Sequence, residues 1–204
     1  GFDCRSGRPM WRAMPRSSRT NDWGFPRWRG YGSSREAQTV LLGRQGGGIT
    51  IEANGDAKFS ELDRNGVADE ISFSNGDKVV RLRGGEPTVW DSRARAKANE
   101  IDWDTANQRS LLRTNVSTTY YSQKSTRGAA PFGGSEKPVY LTAANAEIDH
   151  RAETAVYSGN ARAWQDKSYV RASKLTMRQR EGQFEAEGGV QSLLYDVKRE
   201  ENGR

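Results

Sequence analysis

At 204 residues, 34% of them apolar and 22 of them glycine, the chain has room for one β-rich domain but too little apolar content for a thick two-layer core. A single cysteine, Cys4, excludes an internal disulfide and a Cys-based zinc site, and a single histidine, His150, excludes a His-rich metal centre. The net charge of +6 is local: residues 1–45 carry nine arginines against three acids, whereas residues 46–204 carry 23 bases and 23 acids, so the body of the chain has no bulk attraction for phosphate polymers.

Residues 1–45 are rich in Arg, Gly, Pro and Ser, with Trp11, Trp23 and Trp28 interspersed. Neither a two-residue nor a 3.6-residue apolar period runs through them, and they are expected to form a disordered tail. Arginines among aromatics also suit single-stranded nucleic acid, which stays open as a reading of this segment alone. No stretch approaches the ~18 apolar residues of a membrane-spanning helix. Gly1 stands where an initiator Met would, and no signal peptide precedes the body. The sequence is therefore expected to be part of something longer, with any signal or anchor segment outside it.

From about residue 46 to residue 197 short alternating runs appear, broken at close intervals by turn pairs. Asn54-Gly55, Asn65-Gly66 and Asn75-Gly76 read as hairpin dipeptides, because both positions tolerate φ > 0. Gly84-Gly85, Gly159-Asn160, Glu181-Gly182 and Gly188-Gly189 punctuate the later part. The run Arg93–Ala98 alternates with period two and reads as a strand with small residues on one face. Residues 122–138 have loop composition and read as an insertion, and residues 198–204 as a polar tail.

Four segments within this region align: Ala68–Phe73, Ala98–Trp103, Asn145–His150 and Ala172–Met177. Each places a large aliphatic residue (Ile71, Ile101, Ile148, Leu175) two positions before a second bulky one, so the pair shares a strand face. Each unit then turns, runs a second strand to a corner at Gly85, Asn115, Gly159 or Gly188, and ends a third short strand near Trp90, Tyr120, Trp164 or Leu194. All-strand repeats of this size imply stacked β units that bury their apolar faces against one another.

The run from Leu141 to Trp164, LTAANAEIDHRAETAVYSGNARAW, resembles the repeat of the LptA/OstA family of lipopolysaccharide-transport domains, which also recurs in LptC and in the N-terminal part of LptD. The run Val170–Met177 continuing to Val190 is similar, and residues 68–90 and 98–120 resemble it more loosely. The resemblance implies an all-β fold: an OstA-type β-jellyroll, or β-taco, of stacked short antiparallel strands. It implies a periplasmic bridge component that shields the acyl chains of lipid A in an apolar groove. Its partners would be lipopolysaccharide and other Lpt-type jellyrolls, or further copies of itself, joined by edge-strand pairing. No nucleic acid is expected for residues 46–204, and no cofactor or metal.

The period-two inward set nominates the groove lining: Ile71, Phe73, Val80, Leu82, Val89, Ile101, Trp103, Leu112, Val116, Ile148, Tyr157, Leu175, Met177, Phe184 and Val190. Ala94, Ala96, Ala98, Ala161 and Ala163 would leave width for a ligand. Arg81, Arg83, Arg162 and Arg171 alternate with this set, as outward positions do, and could meet lipid phosphates. No catalytic residue is nominated. His150 stands where other repeats carry Phe73, Trp103 and Met177, and no nucleophile elbow or phosphate-cradling loop is present. The same repeat is compatible with a structural β-solenoid or adhesin-like scaffold with a filled core. Area burial stabilises an apolar side chain by roughly 1.5–3 kcal/mol whether lipid or protein covers it.

Overall fold

The computed structural model describes residues 39–45, 48–61, 63–121, 132 and 137–195, with side chains from Thr50 on. Among these residues there are thirteen strands in one antiparallel sheet and no helix. Among the described residues no helix is therefore long and apolar enough to cross a membrane. The strands are β1 (Thr39–Gln45), β2 (Gly48–Glu61), β3 (Arg64–Ser74), β4 (Val79–Arg83), β5 (Thr88–Trp90), β6 (Ala94–Lys97), β7 (Glu100–Asp104), β8 (Arg109–Tyr120), β9 (Val139–Asp149), β10 (Thr154–Gln165), β11 (Ser168–Arg178), β12 (Gln183–Glu187) and β13 (Gln191–Leu193).

Strand structure thus begins at Thr39, ahead of the boundary expected at residue 46. The rest of the expected tail (1–38), the C-terminal tail (198–204) and most of the expected insertion (122–138) lie outside the described residues. Arg93–Ala98 contains strand β6, as its alternation predicts.

The sheet is creased. Strands β2, β8 and β10 each lose register with a neighbour over two residues: Gly55-Asp56, Thr114-Asn115 and Gly159-Asn160. All six have positive φ, between 44° and 80°. The links β4–β5 and β12–β13 cross the same line at Gly84-Gly85 and Gly188-Gly189, again with positive φ. A left-handed pair at one point of an otherwise extended chain bends it sharply, in the manner of a bulge. Repeated on alternate strands, these pairs fold the sheet along a line perpendicular to the strands.

Two leaves result. The first leaf holds the β2 residues 50–54, then β4, β7 and β12 and the matching halves of β3, β8, β9, β10 and β11. The second holds the other halves of those long strands together with β5, β6 and β13. The four corners read from the repeat are all on the crease. Asn54-Gly55 belongs here too, as a bulge within β2, and Asn65-Gly66 lies inside β3; neither is the hairpin turn expected of it. Asn75-Gly76 does lie in the turn between β3 and β4.

The repeat anchors stack in rows across the first leaf. One row runs Ile71, Leu82, Ile101, Leu112, Ala146, Tyr157, Leu175, each the register partner of the next. Every member is at most 4% exposed. A single inward row along a sheet is what a strand period of two produces when the strands stay in register.

Candidate functional site

The inner faces of the two leaves meet across a narrow interior. Phe59 of the second leaf stacks on Trp103 of the first, with ring centroids 5.9 Å apart. The hydroxyls of Tyr120 (second leaf) and Tyr157 (first leaf) are hydrogen-bonded at 3.1 Å. Burial raises the pKa of both phenols, that of Tyr157 strongly, so the bridge is made by neutral hydroxyls.

Between these contacts the leaves stand apart and leave a small cleft with about 80 Å³ of room, open at its mouth. Its floor and walls are Ile101, Trp103, Leu112 and Ile148 from the first leaf and Phe59, Val89, Ala94, Ala96, Thr118 and Tyr120 from the second. Ala94 and Ala96 create the width, since methyl groups on β6 face the large side chains of β7 and β8. The mouth carries Arg64, Asn65, Trp90, Asp91, Ser110 and His150.

The polar groups at the mouth are held in place. The guanidinium of Arg64 lies 5.0 Å from the Trp103 ring centroid and donates to Oε1 of Gln108 at 3.0 Å. Nε2 of His150 and Oγ of Ser110 are 2.8 Å apart. Burial, and then the charge of Arg64, lower the His150 pKa to about 4, so the ring is neutral at pH 7. Burial raises the Glu61 carboxyl, partly offset by Arg64. Asp91 accepts the backbone N–H groups of Arg93 and Ala94. Within the cleft, Nε1 of the buried Trp103 has no hydrogen-bond partner among the described residues. A buried N–H without an acceptor costs about 1–3 kcal/mol, and the buried hydroxyl of Thr118 on the opposite wall is a second polar group in the same cleft.

Of the nominated lining residues, Val89, Ile101, Trp103, Leu112 and Ile148 line the cleft. Ile71, Phe73, Val80, Leu82, Val116, Tyr157, Leu175 and Met177 are buried elsewhere in the interior. Phe184 is half-buried and meets the ring of Phe132 edge-on at 6.2 Å, and Phe132 is itself buried. Val190 is 49% exposed and leaves the inward set, because the chain has already turned at Gly188-Gly189. Strand alternation alone does not single out Phe59, Trp90, Tyr120 and Arg64. They sit on the second leaf or at the lips, where facing the cleft depends on the crease as well as on alternation.

The outward arginines divide. Arg83 and Arg113 both clasp Asp102, at 2.5 and 2.6 Å, and Arg81 pairs with Asp77, all on the outside of the first leaf. Arg162 and Arg171, on the outside of the second leaf, make no ion pair among the described residues. Arg162 instead lies over Trp164 and Tyr169, at 5.2 and 5.5 Å from their centroids.

Residues 140–204 match the family described as LptA/(LptD N-terminal domain) LPS transport protein. No curated protein sequence matches the chain. Among solved structures, the chain is similar to LptH from Pseudomonas aeruginosa, the LptA-homologous periplasmic component of the conserved lipopolysaccharide transport device. The TM-score is 0.54 at 10% identity, covering 65% of this chain and 94% of that one. The match is one of fold at that identity, and the family match adds sequence over the C-terminal third: this chain carries an LptA/OstA-like β-jellyroll.

Proposed function

We propose that this protein is a periplasmic component of lipopolysaccharide transport, a non-catalytic carrier whose interleaf cleft shields acyl chains. The observation that carries the reading is the cleft itself: an apolar trough between two leaves, open along its lips, at the point where the LptA-like fold is creased. Trp103 gives it a directional feature, an N–H ready for a carbonyl or hydroxyl on an otherwise apolar ligand, and the Thr118 hydroxyl on the facing wall adds a second polar group. Arg64 at the mouth supplies a cation for an anionic head.

The ends of the sheet support a bridge role. Among the described residues β1 pairs only β2, while β12 and β13 each pair only β11. Terminal strands of this kind accept a further strand from another jellyroll or from a second copy. A filled scaffold is the second reading, favoured by the complete burial of Tyr157 and Leu175.

The test is retention of lipopolysaccharide by the purified chain during gel filtration, compared with Ala96→Phe and Leu112→Trp, which fill the cleft from either wall. Co-elution with the wild type and its loss in both variants is expected. A wild type that retains none, under conditions where an authentic LptA does, would leave the scaffold reading standing.

A further inference from the structure

The two outer faces of the folded sheet differ in kind. The first leaf is a mosaic of paired charges: Arg83 and Arg113 with Asp102, Arg109 with Asp149, Lys174 with Glu187 and Arg178 with Glu185. On the second leaf, strands β5, β6, β8, β9, β10, β11 and β13 place no Asp or Glu at an outward position. Register instead aligns a single outward ladder across them: Trp90, Arg95, Thr119, Tyr140, Trp164 and Tyr169, each the partner of the next. At about 4.8 Å per strand the ladder is about 24 Å long. A second row beside it holds Lys97, which pairs with Glu86 of the preceding turn at 3.4 Å, and Arg162 and Arg171, which pair with no acid among the described residues.

The aromatic members interact. Tyr140 stacks on Trp164, centroids 5.6 Å apart and planes inclined by 22°, and Arg162 lies over both Trp164 and Tyr169. Tyr140 and Trp90 are 38% and 37% exposed, a large apolar area to leave in water. Guanidinium groups that lie over rings and face no carboxylate keep their donors for an outside anion. The ladder is also continuous with the cleft, because Trp90 belongs to both. A ligand whose apolar part lay in the cleft would carry its polar part over the lip onto this row.

We propose that this ladder binds the phosphorylated sugar head of the lipid whose acyl chains occupy the cleft, which rests on the carrier reading above. The aromatic faces take the apolar faces of sugar rings. Arg95, Arg162 and Arg171 take phosphate or carboxylate groups, and Thr119 and Thr142 offer hydroxyls to the glycan. A ligand that is both ringed and anionic matches a surface that is both aromatic and cationic. An uncharged apolar partner would leave the arginines desolvated and unpaired.

The experiment titrates the full chain calorimetrically with the acyl-free phosphorylated oligosaccharide obtained by deacylating lipopolysaccharide, and with the same oligosaccharide after dephosphorylation. Binding of the first, at least tenfold weaker binding of the second, and at least tenfold weakening of the first by R162Q/R171Q and by W164A are expected. The thermal melt of each variant shows whether the fold is kept, and R162Q/R171Q alters only exposed side chains. Ala96→Phe is expected to abolish lipopolysaccharide retention while leaving oligosaccharide binding intact. If lipopolysaccharide retention fails but the oligosaccharide binds through Arg162 and Trp164, the ladder stands and the acyl-carrier reading falls. The proposal is overturned if the wild type ignores the oligosaccharide or if the variants bind it equally well. It is also overturned if single-stranded RNA or phosphatidylglycerol vesicles bind the same residues more tightly.

Discussion

Phe59 lies flat on Trp103 across the interior, and its ring fills the space beside residue 66, so that a methyl group on Gly66 would stand 2.0 Å from Cε1 of Phe59. Gly66 has no unusual backbone angle; it is small because the ring needs its place. Gly66→Ala is therefore expected to push Phe59 off Trp103 and to destabilise the fold by about 1–3 kcal/mol, the usual cost of overpacking. Urea denaturation followed by tryptophan fluorescence checks it. An unchanged midpoint would mean that Phe59 is not wedged against the strand.

The crease makes a sharper demand. Gly159 has φ of 80°, and a Cβ there would approach that of Ala144 to 2.6 Å. The left-handed conformation alone costs an L-residue about 1–2 kcal/mol, and the clash adds to it. Gly159→Ala should lower the melting temperature by several degrees. Asn160→Gly, at a position whose φ is 51°, should be neutral or mildly stabilising. Equal effects of the two substitutions would show that the crease does not depend on the left-handed pair.

Much of this architecture is legible in the sequence for a local reason. The period-two pairs such as Ile71 with Phe73 and Ile101 with Trp103 fix which face of each strand points inward, and in-register stacking then turns four aligned motifs into rows. The corners at Gly85, Asn115, Gly159 and Gly188 are legible because left-handed backbone needs particular residues. The same chemistry misleads at Asn54-Gly55, since an Asn-Gly pair permits a hairpin and a bulge equally. What the residues alone withhold is non-local. That Ala96 faces Leu112 across a gap, and that Trp90 reaches both the cleft and the outer ladder, follows only once the sheet has folded on itself. Nor can Arg83 be told from Arg162 along the chain; Asp102 on a neighbouring strand makes the difference.

The hydroxyl pair Tyr120–Tyr157 ties the leaves together where the cleft closes. Tyr120→Phe removes one partner and leaves the buried Tyr157 hydroxyl to find another, a loss of about 1 kcal/mol. Because the bond spans the leaves, its removal should also loosen the cleft. Hydrogen exchange of the amides in β6 and the second half of β8 is expected to quicken in this variant more than in the first leaf. Uniform protection in both leaves would argue that the bridge is incidental.

Asp102 holds two guanidiniums. Burial raises its pKa, but hydrogen bonds from Arg113 and then Arg83 outweigh that and keep the carboxyl below the usual range. Asp102→Ala leaves both arginines without their shared acceptor on a half-buried sheet face and is expected to cost about 1–3 kcal/mol. Its stabilisation is present above the unfolded carboxylate range and disappears as pH falls through the lowered folded value. The difference in unfolding free energy between wild type and D102A should thus shrink in strong acid and stay constant above about pH 5. A difference that persists undiminished at pH 2 would assign the loss to packing.

His150 behaves in the opposite chemical sense but with the same direction in pH. Its folded pKa is depressed to about 4, first by burial and then by Arg64, so the folded chain prefers the neutral ring. Above the unfolded value of about 6.5 neither state holds the proton and the residue is indifferent to pH. Between about 6.5 and 4 the unfolded chain binds the proton and the folded chain does not, so stability falls as the solution is acidified; below about 4 the loss is complete. With its ring partly open to the mouth, the loss is discounted to roughly 1–2 kcal/mol. His150→Phe supplies the bulky residue that Phe73 and Trp103 supply in the other repeats. It should remove the loss of stability that His150 causes between pH 6.5 and 4, leaving in place the opposing contribution of Glu61, whose carboxyl burial raises, and the carboxylate slope of Asp102 and Asp149 in stronger acid. Unfolding free energies across this range, measured on both proteins, decide the matter: the same loss retained in the variant would locate the titrating group elsewhere.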